Sequence, residues 1–446
     1  MKKNIPLIFI SMGLSALAFG ALIGFLISIV YIQPDFLKDI LPFNQLRPLH
    51  TSSVVAWIIL TAIGGIYFYV SQEEKYTLFS TNLMKAHLVI YVLVSVCIFY
   101  SLFSGNMGGR EYLEFFPLLV VPILLGWILF GINFYKTVFK NAKNWPVYYW
   151  MWAVGIVFMI FHLSEAHFWM FTHFRSDFIR DLTVQWKSYG SFVGSWNMLV
   201  YGTSFYVMSK IKNDDSIARG KITFFFFFLG LSNLMFGWAH HTYILPTLPW
   251  VRYVSYIISM TEWIILISII YTWAKSLSKE KKRNNLMAYR FLIASEFWVF
   301  VNLIIALLIS IPSINFYTHG THITVAHSMG TTIGINTTIL LGSVSFILSR
   351  LGENEVLKSV WVKLGFWIFN ISLAIFLFSL IMAGFLRAAW VNHAAKSESF
   401  SSLHDKSTPY FIVFVVAGGA LLTGILLIAL PMVNRTIIRC SNDYKE

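Results

Sequence analysis

The sequence predicts an all-α, polytopic membrane protein with twelve transmembrane helices and both termini in the cytoplasm. Three observations support this fold class. First, 57% of the 446 residues are hydrophobic and only 12% are charged, whereas soluble domains carry about a quarter charged residues. Second, apolar runs long enough to cross a bilayer recur along the whole chain. Third, lysine and arginine fall mainly on one side of these runs.

The apolar runs define the predicted helices, because each is long enough to cross a hydrocarbon core about 30 Å thick. The first run is too long for a cleaved signal peptide, so we interpret it as a retained helix. We expect residues 1–446 to form a single integral-membrane domain. Its predicted spans are residues 5–31, 50–72, 84–103, 116–138, 145–173, 184–208, 221–244, 252–275, 287–312, 320–349, 360–386 and 408–434.

The distribution of basic residues predicts the orientation. Segments on the side of the termini hold 23 of the 33 Lys and Arg residues, and the opposite side holds 10. The positive-inside rule therefore places both termini in the cytoplasm. The basic residues are scattered over short loops, which argues against nucleic-acid binding, and the two cysteines provide no disulfide framework. We expect a multi-pass protein of the inner (cytoplasmic) membrane that has the lipid bilayer around it.

Histidines inside the predicted spans indicate a candidate site. His50 begins the second span, His240 and His241 lie near the outer end of the seventh, and His327 lies two turns below the outer end of the tenth. All four therefore share a similar depth in the outer half. Ionisable groups inside a membrane are usually functional. A vicinal pair with further histidines on distant spans predicts a haem or metal site between helices.

Other ionisable residues support weaker predictions. His162 and Glu165 share one face of the fifth span, where they could pair with each other, relay a proton or bind a metal. His319 and His322 lie at the outer end of the tenth span. They either contact haem propionates or have a structural role at the start of the helix. Glu296, inside the ninth span, is a candidate for proton transfer.

Four short motifs lie in or beside predicted spans 2, 4, 7 and 10: Leu46-Arg-Pro-Leu-His-Thr51, Gly109-Arg-Glu-Tyr-Leu-Glu114, His240-His241 and Tyr317-Thr-His-Gly-Thr321. Together they resemble the catalytic large (cytochrome b) subunit of bacterial nitric oxide reductases, within the haem-copper oxidase superfamily. The resemblance covers essentially the whole chain. It implies that residues 1–446 form one integral-membrane, haem-binding catalytic domain with twelve helices of the subunit I type. It also implies a low-spin haem b, a high-spin haem b, non-haem iron and calcium.

The resemblance implies roles for individual residues. Histidines match the ligands of the low-spin haem b (His50), the high-spin haem b (His327) and the non-haem iron (His240 and His241). Carboxylates match the outer-loop calcium site (Glu111 and Glu114) and an active-site group linked to metal and proton chemistry (Glu262).

At two positions the sequence departs from the family pattern. The family usually has a second histidine two residues after the proximal one, and Met329 stands there. A thioether is a competent haem ligand, so we expect His50 and Met329 to bind the low-spin haem, with a packing methionine as the alternative. The third histidine of the non-haem site is also missing. Tyr189 stands near that gap, and Tyr189, Glu165 and Glu262 are the candidate substitutes and catalytic residues.

These features predict a nitric oxide reductase-like enzyme that converts two NO, two electrons and two protons to N2O and water. The chain has no CxxCH motif, so an outer cytochrome c or copper-containing subunit would donate the electrons. The missing ligand leaves open another metal, an NO dismutase, an O2 reductase, or a haem-binding electron-transfer or NO-sensing subunit without the non-haem metal. A twelve-helix transporter would need inverted repeats, and the sequence shows none.

Overall fold

The computed structural model describes residues 4–74, 76–258, 261–394 and 397–442, without the side chains of residues 261–264, 394 and 442. Within these ranges the regular structure is helical, which confirms the predicted all-α class. The long helices are α1 (Asn4–Val30), α2 (Phe43–Gln72), α3 (Thr81–Phe103), α4 (Val120–Val138), α5 (Val147–Glu165), α6 (Phe178–Lys212), α7 (Lys221–Phe236), α8 (Pro249–Ile258), α9 (Thr261–Ser276), α10 (Leu286–Ser310), α11 (His322–Arg350), α12 (Val360–Ala389) and α13 (Phe400–Asn442).

Shorter helices connect or extend the long ones: Pro117–Leu119, Phe139–Asn144, Phe168–Met170, Thr172–Arg175, Gly237–Thr242, Lys279–Asn284, Pro312–Thr318, Asn354–Lys358 and Trp390–Ala394. The only isolated β-bridge within the described ranges joins Arg110 to Leu113, in the connection between α3 and α4. The chain is therefore a bundle of helices joined by compact turns.

Ten helices in the described part of the chain are long and apolar enough to cross a membrane. They match every predicted span except the sixth and the eighth. The sixth lies within α6, whose many small and polar residues reduce its hydropathy. The eighth falls on α8 and α9, and residues 259 and 260 between them lie outside the described ranges. The chain is a multi-pass membrane protein, and the count of twelve spans remains a prediction.

The two described ends of the chain meet on one face of the bundle. The Asn4 side-chain amide donates a hydrogen bond of 3.1 Å to the Cys440 carbonyl. The guanidinium of Arg439 bonds to Glu353, just beyond the end of α11. We call this side the terminus face and the opposite side the distal face. That the terminus face meets the cytoplasm remains a prediction.

Exposed and buried side chains are distributed as expected for a protein in lipid. Along α3, Val89, Leu93 and Val96 are 56%, 60% and 63% exposed. Rows of exposed apolar side chains of this kind mark contact with a membrane or a partner. The interior holds large aromatic side chains that are fully buried, among them Trp57, Trp127, Trp152, Trp273 and Trp298.

Two helices, α2 and α11, form the centre of the bundle. In their most apolar stretches 78% and 89% of the residues are buried, against 61% or less in the other eight spans. The indole N–H of Trp57 on α2 donates a hydrogen bond of 3.0 Å to the Thr337 hydroxyl on α11. Both helices run from the distal face to the terminus face. They carry His50 and His327, so the predicted haem ligands lie on the innermost scaffold.

Candidate functional site

The adjacent histidines lie on a tight turn at the end of α7. After this α-helix the chain continues as the 3-10 helix Gly237–Thr242, which carries His240 and His241. Their imidazole rings are 4.2 Å apart between centroids. The Ser255 hydroxyl on α8 donates a hydrogen bond of 2.8 Å to the Gly237 carbonyl. The two rings are therefore close neighbours on a turn that α8 holds in place.

Two further histidines lie beside this pair. The ring of His319, in the connection before α11, forms a hydrogen bond with the His241 backbone. Burial lowers the pKa of His319, and this hydrogen bond opposes the shift. His327 on α11 lies within electrostatic range of both His240 and His241. The structure thus brings together three of the four histidines whose common depth the sequence predicts.

Helix α6 packs directly on the histidine turn. A Cβ atom added at Gly190 would lie 2.8 Å from Trp238 Cβ and 3.4 Å from His241 Cδ2. Trp186, one turn earlier on α6, stacks on His241 with ring centroids 5.7 Å apart and an interplanar angle of 14°. Gly190 therefore permits a close approach of α6 to the histidine turn, and Trp186 covers one face of the His241 ring.

Tyr189, the residue predicted near the missing ligand, faces away from this contact. Its ring packs against Tyr112, in the connection between α3 and α4, and against Trp186. Its hydroxyl is buried and has no hydrogen-bond partner among the described residues. Buried polar groups normally have a partner, so this oxygen is open to a bound group. The α6 residues that meet His241 are Trp186 and Gly190.

His50 has the hydrogen bonding expected of a haem ligand. Its Nδ1 lies 2.8 Å from the Gly20 carbonyl of α1, which favours the tautomer with the proton on Nδ1. Nε2 then presents its lone pair, the usual arrangement at metal-bound imidazoles. A Cβ at Gly24 would lie 2.7 Å from His50 Cε1. Any larger residue at this position of α1 would therefore clash with the imidazole ring. These residues fit an axial haem ligand.

His327 and Met329 project from α11 in different directions, because residues two apart on a helix do not share a face. The eight residues after Met329, Gly330–Thr337, are π-helical, a geometry that recurs at functional sites. Trp57, which bonds to Thr337, is seven residues after His50, and Thr337 is eight after Met329. His50 and Met329 are therefore at matched heights, about 11 Å nearer the distal face than that hydrogen bond.

Two buried side-chain nitrogens near the distal ends of α11 and α12 have no hydrogen-bond partner among the described residues. His322 Nδ1 and Arg387 Nη1 are both buried without a hydrogen-bond partner in the described part of the chain. The two side chains interact electrostatically. Anionic groups such as haem propionates would satisfy both donors. The donor set therefore fits the predicted role of His322.

The outer-loop carboxylates form an ion pair with α2. Arg47 donates hydrogen bonds of 2.8 Å to Glu111 and 2.7 Å to Glu114. Burial raises the pKa of Glu114, and the nearby Arg47 guanidinium opposes that rise. Tyr112 between them has a φ of 69°, a left-handed conformation uncommon for a non-glycine residue. Two carboxylates on a constrained loop fit a calcium site, and they also anchor the loop to the helix of His50.

Replacement of Arg47 by glutamine is expected to lower the free energy of unfolding by about 1–2 kcal/mol, since it leaves two carboxylates without their charged donor. The loss should be greatest at high pH. A raised pKa in the folded state favours the protonated form, so stability falls as the pH rises through that pKa. Thermal denaturation between pH 5 and 8 tests this. Lys38→Gln, which breaks an exposed pair with Asp35, should have no effect, and an equal loss there would contradict the prediction.

Glu165 belongs to a partly buried trio between α5 and α6. His162 Nδ1 lies 3.0 Å from Glu165 Oε2, and Lys187 Nζ lies 2.5 and 2.6 Å from the two carboxylate oxygens. The predicted pair of His162 and Glu165 is present. Both oxygens of Glu165 are engaged by these partners, and Lys187 is next to Trp186, which stacks on His241.

The carboxylate predicted on the eighth span, Glu262, has its side chain outside the described residues. Among the side chains that are described, no three His, Cys, Asp or Glu residues form a group that could hold a metal ion. Of the residues predicted to hold the non-haem metal, the structure therefore describes His240 and His241 as a pair without a third ligand. Glu296 is half-buried on α10, away from any ion-pair partner that the structure describes.

A match to a known protein family shows the family to which this chain belongs. A model of the family described as cytochrome c and quinol oxidase polypeptide I matches residues 4–420. The chain belongs to this family. Its members are haem-binding oxidoreductases of the haem-copper oxidase type, and the all-helical bundle has the subunit I fold.

Known relatives of this haem-copper oxidase family member include both reductases and oxidases. A nitric oxide reductase subunit of Stutzerimonas stutzeri is 23% identical, with 91% of this chain and 89% of the relative covered. Cytochrome c oxidase subunit 1 of Rhodobacter capsulatus is 22% identical over 91% and 80%. A cryo-EM structure of a haem-copper terminal oxidase dimer matches with a TM-score of 0.78 at 16% identity, covering 97% of this chain and 84% of that one.

Three residues around the site were not predicted from the sequence: Trp186, Lys187 and Gly190. Lys187 lies within the sixth predicted span, and a lysine there is a signal that could have been used. Trp186 and Gly190 carry no such signal, because aromatic residues and glycines are common throughout the spans. Their contribution depends on which face of α6 meets the histidine turn, and only the packing gives that.

Proposed function

We propose that this chain is the catalytic subunit of a nitric oxide reductase-like enzyme of the cytoplasmic membrane, which reduces two NO to N2O and water. The observation that carries the proposal is the position of His240 and His241 beside His327. A metal-binding pair next to a haem ligand gives two metal positions at one site. The likeness to the nitric oxide reductase subunit of Stutzerimonas stutzeri over 91% of the chain supports NO as the substrate.

The proposed cofactors are assigned to the residues that fit them. His50 and Met329 would hold the low-spin haem b, His327 the high-spin haem b, and His240 with His241 the non-haem iron. Iron held by His327 through the haem and by His240 with His241 would supply the electrophilic positions that NO activation needs. In the chain itself, Trp186 and Gly190 orient the histidine turn, and Glu262 is the proposed carboxylate for proton transfer. Glu111 and Glu114 are the proposed calcium ligands.

The proposed electron donor is a cytochrome c or copper-containing subunit that docks at the distal face. His50 lies near the distal end of α2, and the ion pair of Arg47 with Glu111 and Glu114 lies beside it. A donor docked there would have a short path to the low-spin haem. His50 and Met329 would hold the low-spin haem, and that group would supply one-electron transfer for the site at His327.

Anaerobic NO consumption by the purified, reduced protein, with N2O measured by gas chromatography, tests this function. We expect one N2O for every two NO consumed. Labelled N2 and O2 formed from NO would instead indicate a dismutase, and O2 consumption without N2O formation would indicate an oxidase.

A second candidate function is a haem-binding electron-transfer or NO-sensing subunit. It is favoured by the lack of a third protein ligand among the described residues. Haem and metal stoichiometry separates the two candidates. Two haems with one bound iron support the enzyme, and haems without that iron support the second candidate.

A further inference from the structure

Two threonines mark the ends of the π-helix that follows His327 on α11. Thr331 is the second residue of Gly330–Thr337, and Thr337 is the last. The Thr331 hydroxyl donates a hydrogen bond of 3.1 Å to the His327 carbonyl, four residues back. The Thr337 hydroxyl donates one of 2.9 Å to the Thr332 carbonyl, five residues back. These bonds follow the spacing of an α-helix at the start of the segment and of a π-helix at its end.

Each of these two threonines also accepts a hydrogen bond from a neighbouring helix. The side-chain amide of Asn302 on α10 donates one of 2.6 Å to the Thr331 hydroxyl. The Trp57 indole on α2 donates one of 3.0 Å to the Thr337 hydroxyl. A hydroxyl has one hydrogen, and that of Thr331 is directed at the His327 carbonyl, so its oxygen accepts from Asn302. The π-helix is therefore held at both ends, and the bond at its start reaches the backbone of His327.

Helix α10 packs very closely on the first turns of the π-helix. A Cβ atom added at Gly330 would lie 2.6 Å from Asn302 Oδ1, and one added at Gly334 would lie 2.9 Å from Trp298 Cγ. Trp298 and Asn302 are four residues apart on α10, so they lie on the same side of that helix. The Trp298 indole is itself held by a hydrogen bond of 2.8 Å to Asn370 Oδ1 on α12. The two glycines therefore seat the π-helix against a fixed part of α10.

Thr332, the next residue, shows what a bond confined to α11 is like. Its hydroxyl donates a hydrogen bond of 2.9 Å to the Ser328 carbonyl, also four residues back. It accepts no side-chain hydrogen bond from another helix in the described part of the chain, and it is only half-buried. Thr331 and Asn302 are buried and bonded to each other. A pair of apolar residues of the same shape would pack α10 on α11 about as well, so packing alone does not explain this polar pair.

We propose that Asn302 and Thr331 are positioning residues for His327. Their hydrogen bonds hold the His327 carbonyl, and with it the direction in which the imidazole leaves α11 toward the high-spin haem. The inference rests on the proposed function, in which His327 holds that haem. Groups that orient an axial ligand tune the properties of the metal without touching it. The effect of Asn302 on the haem is therefore transmitted through Thr331 and His327.

Resonance Raman spectroscopy of the purified, reduced holoprotein tests this role, because the iron–histidine stretching band reports how the proximal imidazole is held. Thr331→Val keeps the shape of the side chain and removes the hydroxyl. It should shift and broaden the band and lower turnover about tenfold, as expected when a group that supports a ligand is lost. Thr331→Ser keeps the hydroxyl and should retain the wild-type band and rate.

Asn302→Leu should change the band in the same way as Thr331→Val. The double variant should show no larger change than the larger single variant, because both substitutions break one hydrogen-bond network. If Asn302→Leu does not yield folded protein, the comparison of Thr331→Val with Thr331→Ser decides the question. Equal changes of the band in Thr331→Val and Thr331→Ser would overturn the proposal, since the hydroxyl would then not be responsible.

Thr332→Val is the matched control, because it removes a bond of the same kind from the adjacent residue. It should leave the band and the rate unchanged. A wild-type band in Thr331→Val, or the same change in Thr331→Val and Thr332→Val, would show that Thr331 does not position His327.

The Raman band also separates this inference from the proposed function, since it requires bound haem and no turnover. A wild-type protein that shows the band but forms no N2O would contradict the proposed reaction, while the comparison of Thr331→Val with the wild type would still decide the role of Thr331. His327→Ala should abolish the band. A band that persists in this variant would show that another residue holds the haem, and it would overturn the inference.

Discussion

Replacement of His241 by alanine is expected to release the non-haem metal and to reduce NO turnover at least about a hundredfold, while both haems stay bound. Removing a group that merely supports a metal ligand lowers affinity or activity about 10–100-fold, and removing a ligand should do more. No third His, Cys, Asp or Glu side chain in the described part of the chain completes a metal-holding group with the pair on the Gly237–Thr242 turn. Loss of His241 therefore leaves one imidazole. Metal analysis and anaerobic NO consumption on the purified variant measure both effects.

The control for this prediction is His393→Ala. His393 is exposed on the short helix that follows α12, so its loss should change neither metal content nor rate. The double variant His240→Ala/His241→Ala should be no slower than the slower single variant, because residues that act as one unit have non-additive effects. Full metal content in His241→Ala would show that the metal lies elsewhere.

The fold was predictable because lipid imposes a simple rule on the sequence. A span must be long and apolar, and each of the ten described helices that meet this criterion overlaps one predicted run. Helix α6, which holds the sixth predicted span, does not meet it. Its interior position between α5 and the histidine turn allows serine, glycine and tyrosine to replace lipid-facing residues, so its hydropathy is low because it is surrounded by protein.

The depth of the candidate site along the helices could be predicted from the sequence, but the helix faces that surround it could not. Counting residues from the ends of spans places His240, His241 and His327 at one level, and the structure brings them together. It does not reveal which side of α6 faces them. Tyr189 and Gly190 are neighbours in sequence and differ by about 100° around the helix, so one packs on Tyr112 and the other on Trp238. Such a difference depends on how the helices are rotated against each other.

The ion-pair partners of the charged residues could not be predicted from the sequence either. Lys187 neutralises Glu165 from a helix that begins thirteen residues later, and Arg47 reaches two carboxylates more than sixty residues away. Nothing local marks such pairs, because they form only when distant segments fold against each other. Such pairs affect metal binding. Both oxygens of Glu165 are engaged, and a carboxylate in that state is not free to bind a metal.

Replacement of Met329 by histidine is expected to lower the midpoint potential of the low-spin haem by on the order of 100 mV, because a thioether ligand raises the potential relative to imidazole. The matched heights of His50 and Met329, deduced from the hydrogen bond between Trp57 and Thr337, are compatible with binding of one haem by both side chains. Met329 is only partly buried by protein, which leaves its sulfur accessible to such a group. Redox titration of the low-spin haem absorbance measures the shift.

Met329→Leu separates ligation from packing, because leucine has a similar volume without the sulfur. If Met329 binds the haem, this variant should lose the low-spin spectrum and near-infrared magnetic circular dichroism should no longer show thioether ligation. Met159→Leu, a fully buried methionine on α5, is the control and should leave the spectrum and the potential unchanged. An unaltered low-spin haem in Met329→Leu would make Met329 a packing residue, and a second ligand would then have to come from another residue at the same height on the bundle.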